Sequence, residues 1–75
     1  MKLPSKLFSY EESVLSKLPI ALGFLRQESL SVGQLFTMMQ NSVSDASEFL
    51  DVLDCLYALK KIYYDSEKGT LSYVD

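Results

Sequence analysis

Asp51 and Asp54 stand three residues apart, close enough on a helix to share a face and to be considered as an acid/base pair. Cys55 beside them is a thiol nucleophile by residue type. General acid/base or thiol chemistry needs more than this. It needs a partner of shifted pKa within hydrogen-bond reach and a group that stabilises developing charge. The chain has no histidine and a single cysteine. It has no Gly-rich phosphate loop and no nucleophile–base pairing. One cysteine among scattered acids gives no zinc spacing and allows no internal disulfide. We therefore expect no enzyme activity, no catalytic residue, no metal and no cofactor. Asp51 and Asp54 then read as charges on a solvated face, and Cys55 as a small filler at the edge of an apolar arc.

These residues fall in an amphipathic stretch that runs into two short strands. Upstream of it, residues 1–8, "MKLPSKLF", read as an extended N-terminal arm, because Pro4 disfavours helix at Leu3. Ser9 with Glu12 three residues on is a capping box, so a first helix can start near Tyr10. Val14, Leu15, Leu18, Ala21, Leu22 and Leu25 then recur at helical spacing. Pro19 inside that run predicts a kink or a split. Ser31 and Gln34 form a second capping box, opening a helix over Val32–Gln40 that buries Val32, Leu35, Phe36 and Met39. Leu30, just before it, suits a one- or two-residue strand bridge. Ser44 or Asp45 caps a third helix running to about Lys61.

On a wheel of about 100° per residue, Ala46, Phe49, Leu50, Val52, Leu53, Leu56, Tyr57 and Leu59 fill about 180°, where a surface helix needs only about 100°. That helix is either the central element of the core or also presents apolar surface to a partner. Ile62–Asp65 and Thr70–Val74 then alternate as strands around a turn that ends at Gly69. Ile62, Tyr64, Leu71 and Tyr73 share the core side of this hairpin, leaving Tyr63 and Val74 outward. Three helices followed by a two-stranded hairpin make an α+β fold, a small winged helix-turn-helix. The 75 residues form one such domain.

A winged helix suggests DNA, and its charge argues against it. The net charge is −3. A groove-reading helix needs Arg, Lys, Asn or Gln toward bases and cations toward phosphate. The third helix offers Asp45, Ser47, Glu48, Asp51 and Asp54 on its outer side, with Lys60 and Lys61 only at the far end. The wing sets Lys68 against Asp65 and Glu67. A protein-interaction module fits this surface better, and fold alone does not decide. Leu3, Pro4, Leu7, Phe8 and Tyr10 in the arm, the carboxylates Glu48, Asp51 and Asp54, and the outward Tyr63 are the candidate partner-binding residues. There is no signal peptide and no stretch of transmembrane length, so a cytoplasmic protein with a reduced thiol and no membrane partner is expected.

The runs "LPSKLFSYEESVLSKLPIAL", "LSVGQLF" and "EFLDVLDCLYALKKIYYDSEKGTLSYV" resemble the small middle components of bacterial ABC-three-component systems. The likeness covers nearly the whole chain. Its most telling parts are Leu3-Pro4-Ser5-Lys6, Ser13 to Pro19, and the run from Leu53 to Ile62. The resemblance implies a partner role beside an SMC- or RecN-like ABC ATPase and a variable effector, often a nuclease. The setting it implies is conflict with phage or plasmids, as in Lamassu-type defence. It implies no catalytic residues. The expected function is a non-enzymatic adaptor linking that ATPase to its effector, with direct nucleic-acid binding by the third helix disfavoured and contact with nucleic acid within the assembled complex left open. The rivals are a dimeric winged-helix DNA-binding transcription regulator and a small toxin–antitoxin-type binder.

Overall fold

Leu3 to Gln27 form one helix, α1, which runs through Pro19 without a break. A computed structural model describes the backbone of residues 3–75 and the side chains of residues 9–75. Two expectations fail here. Leu3–Phe8 are helical rather than an extended arm, while Met1 and Lys2 lie outside the described residues. Pro4 is harmless in a first turn, because its missing N–H has no helical acceptor there anyway. Ser9 is then an interior residue and caps nothing. Of the kink or split expected at Pro19, the split does not occur, and Pro19 and Leu15 both sit on the exposed side. Pro19 deprives the Leu15 carbonyl of its helical donor, a loss that water can make good on the exposed side of a helix.

Leu30–Ser31 is a short strand, β1, followed directly by α2 (Val32–Met38). The Ser31 hydroxyl accepts from the Gln34 N–H at 3.0 Å, and the Gln34 side chain accepts from the Ser31 N–H at 2.9 Å. This is the reciprocal capping box the spacing predicts. Asp45 caps α3 (Ala46–Ala58) by accepting from the Glu48 N–H at 2.9 Å. Both helices stop short of their expected ends. In α2 the chain turns at Met39, and in α3 it turns at Leu59.

The end of α3 is a Schellman turn. Lys61 N–H donates to the Leu56 carbonyl and Lys60 N–H to the Tyr57 carbonyl, both at 2.9 Å. Lys60 takes the left-handed position, φ 60°, where its Cβ is crowded and glycine is usual. Lys60→Gly is therefore expected to stabilise the domain by about 0.5–1 kcal/mol, once glycine's extra unfolded-state entropy is set against the relieved crowding. Chemical denaturation should show a raised midpoint at unchanged slope.

β2 (Ile62–Asp65) and β3 (Thr70–Tyr73) form the hairpin. Gly69 has φ 69°, and its N–H reaches the Asp65 carbonyl at 2.7 Å. The sheet order is β1-β3-β2, with Leu30 opposite Leu71 and Ile62 opposite Tyr73. The predicted bridge at Leu30 is thus present. Helix, strand, two helices and hairpin make an α+β domain consistent with a winged-helix-like architecture.

The core draws on every element. Val14, Ala21 and Leu25 come from α1, Leu30 from β1, Leu35 from α2, Phe49, Val52, Leu53 and Leu56 from α3, and Ile62 and Leu71 from the hairpin, with Met39 and Val43 between α2 and α3. Phe36 packs on Phe49 with ring centroids 4.9 Å apart. Arg26 lies over the Tyr73 ring, 5.0 Å from its centroid, and fastens the end of α1 to the sheet. Val32 and Tyr64 depart from expectation and are exposed. Val32 is the first residue of its helix, and Tyr64 lies on the edge strand β2 next to the turn, opposite the buried Leu71.

Candidate protein-interaction surface

The polar side chains of α3 divide into those turned toward α1 and those turned to solvent. Glu48 is turned inward and is only 2% exposed. Its Oε1 accepts from the Ser44 N–H at 2.8 Å and the Ser44 hydroxyl at 3.2 Å. Its Oε2 accepts from the Ser13 hydroxyl and faces Lys17 Nζ at 3.4 Å. Lys17 also donates to the Ser13 hydroxyl at 2.9 Å. The Ser13 hydroxyl and then the Ser44 N–H, helped by Lys17, hold the Glu48 carboxyl down at about 2. Among the described residues no buried polar side-chain atom lacks a partner.

Asp51, one turn on, is half-buried and accepts from the Tyr10 hydroxyl. That bond, with some desolvation, pushes the Tyr10 phenol up to about 12, so the phenol stays protonated. Expectation and structure differ at this point. Glu48 cannot meet a partner from where it sits, and Asp51 is partly engaged by α1. Of the four acids expected on the outer side, Asp45 is occupied as a cap and Asp54 alone is free on the outward stripe.

That stripe runs Ser47, Leu50, Asp54, Tyr57 at helical spacing, and all four are exposed. Leu50 is 53% exposed and Tyr57 44%. The wide apolar arc therefore divides: Phe49, Val52, Leu53 and Leu56 fill the core, and Leu50 and Tyr57 face out. Leu59 is also exposed, because the helix has ended before it.

A second feature lies between α1 and α3. Tyr10, Glu11, Val14 and Leu15 on one helix and Asp51, Asp54 and Cys55 on the other line an open groove of about 360 Å³. Leu15, expected in the core, is 56% exposed here. Cys55 is half-buried with a free thiol. Among the described residues, no three His, Cys, Asp or Glu side chains are placed to hold a metal ion. None of their helices is long and apolar enough to cross a membrane.

The sequence-predicted residues are thus spread over three places. Tyr10, Asp51 and Asp54 meet at the groove, Glu48 is buried one turn before Asp51 against Ser13 and Lys17, and Tyr63 is exposed on β2. Leu3, Pro4, Leu7 and Phe8 occupy the first turns of α1, and their side chains lie outside the described residues. Sequence reasoning missed Glu11, Leu15, Leu50 and Tyr57. The width of the apolar arc was the available signal for Leu50 and Tyr57. Nothing local distinguishes Leu15 from its buried neighbours.

A family model described as ABC-three component (ABC-3C) system Middle Component 7 matches residues 3–71. No curated protein sequence and no solved structure matches the chain.

Proposed function

The chain belongs to the ABC-three component (ABC-3C) system Middle Component 7 family, and from that membership we propose that it is a non-enzymatic adaptor joining an SMC- or RecN-like ABC ATPase to an effector. Membership makes it a middle component of such a system, with the defence role this implies. The adaptor role, the identity of both partners, a cytoplasmic location and an antiphage or antiplasmid target are our reading. One observation supports it above others. The outward stripe of α3 carries Leu50 and Tyr57, where a groove reader would carry Arg, Lys, Asn or Gln. Burial of Glu48 and engagement of Asp51 weaken the repulsion argument against DNA, but they add no donor for bases. Exposed Leu and Tyr at helical spacing instead suit a protein interface, with Tyr as the anchor type.

The test is co-expression with the neighbouring ATPase and effector genes. Leu50→Asp with Tyr57→Asp is expected to weaken assembly at least about tenfold while leaving the fold intact, since both residues lie outside the core and are already half exposed. Size-exclusion chromatography and circular dichroism read the two outcomes. An ATPase–effector complex that forms and works equally well without this chain would end the adaptor reading. Binding to duplex DNA that weakens steeply with salt would favour the regulator instead.

A further inference from the structure

We propose that the groove between α1 and α3 is the docking site for a cationic amphipathic helix, one presenting apolar residues at helical spacing flanked by Lys or Arg. The proposal deepens the adaptor reading by stating the chemistry of one partner segment. The floor of the groove is apolar: Val14, the half-exposed Leu15 and Cys55. Its rim is acidic: Glu11 on α1 and Asp54 on α3 are exposed, Asp51 beside them accepts from the Tyr10 hydroxyl, and no Lys or Arg among the described residues lines it. Beyond Leu15, the next α1 cation, Lys17, is committed to Glu48, while the side chain of Lys6, one turn before Tyr10, lies outside the described residues.

An apolar floor between two helices accepts a third helix by its apolar face. A carboxylate rim then selects the sign of the flanking residues. A second copy of this chain is a poor occupant, because pairing like grooves would set the same acids against one another. Asp54 belongs to both the groove and the outward stripe of α3, so an occupant of the groove borders the surface assigned above to assembly.

Fluorescence anisotropy with the full chain tests this. The probe is a labelled helical peptide with leucines at i, i+3, i+4, i+7 spacing and lysines flanking them. Its twin carries glutamate at every lysine. The chain should bind the lysine peptide, and the glutamate twin at least about tenfold more weakly. Glu11→Lys with Asp54→Lys should lower lysine-peptide affinity by about tenfold or more and reverse the preference. Leu15→Asp should abolish binding of both peptides. Melting curves confirm that these exposed substitutions leave the fold intact. Equal binding of the two peptides, no binding of the lysine peptide, or an unchanged double variant each overturns the proposal. Failure of the wild-type chain to join its ATPase and effector would defeat the adaptor reading alone, while the peptide titrations still decide the groove.

Discussion

Glu48→Ala is expected to destabilise the domain by about 2–3 kcal/mol, as loss of a buried hydrogen-bonded carboxylate does. The substitution removes the acceptor for the Ser44 N–H, the Ser44 hydroxyl and the Ser13 hydroxyl together, and deprives Lys17 of its counter-charge. Lys17 is only partly buried and can turn to water, which keeps the effect at the lower end of the buried-pair range. Glu48→Gln preserves an acceptor for Ser44 and should lose less. The same carboxylate sets an acid limit. Its folded pKa is depressed from 4.5 to about 2. The stability it contributes is therefore fully present above the unfolded value, and it is lost as pH falls through the interval from about 4.5 to about 2. Urea titrations across that interval should show wild type losing stability that Glu48→Ala no longer has to lose. Parallel pH profiles for the two proteins would contradict this account.

Leu56→Ala should cost about 2–5 kcal/mol, the range for a fully buried leucine whose site cannot collapse. Leu56 has no exposed surface and sits in the part of α3 that faces the core. Its carbonyl also receives the Schellman hydrogen bond that ends the helix, so repacking by backbone movement is restrained from that side. For a domain of this size, whose total stability is on the order of 5 kcal/mol, such a loss leaves a large unfolded fraction at room temperature. Thermal melting should show a transition displaced far below that of wild type or already under way at 25 °C. A near-wild-type transition would mean that α3 is not the centre of the core.

The elements set by neighbouring residues were legible in the sequence. Ser31 and Gln34 cap each other across one turn, Asp45 caps α3 over the same distance, and Gly69 supplies the left-handed residue of the hairpin. Each depends on chemistry within three or four residues, and spacing records that directly. The start of α1 was not legible, nor was its passage through Pro19. A proline breaks a helix or not according to where it falls in the turn and which side meets solvent, and the second is a tertiary fact. Glu48 failed for a related reason. A wheel gives an angle but does not say which side chains wait there. The angle itself held a warning, since Glu48 lies beside Leu59 and Val52 at the edge of the apolar arc. Ser13 and Lys17, polar and one turn apart at the margin of an apolar stripe, were the complementary signal on α1. The fold class was recoverable because caps, periodicity and turn residues agree with one another. The groove was not recoverable, because it exists only in the spacing between two helices.

The Ser13–Lys17–Glu48–Ser44 cluster bears on that spacing. Two helices held by leucines alone could slide past each other and find new ridges and grooves. Here a slip of one turn, about 5.4 Å, would strand a carboxylate in a dry place with its donors left behind. α1 and α3 are thus locked in a single alignment before anything lands on them. A helix seated between them as proposed would meet a preset cleft and need spend little of its own grip on shaping it.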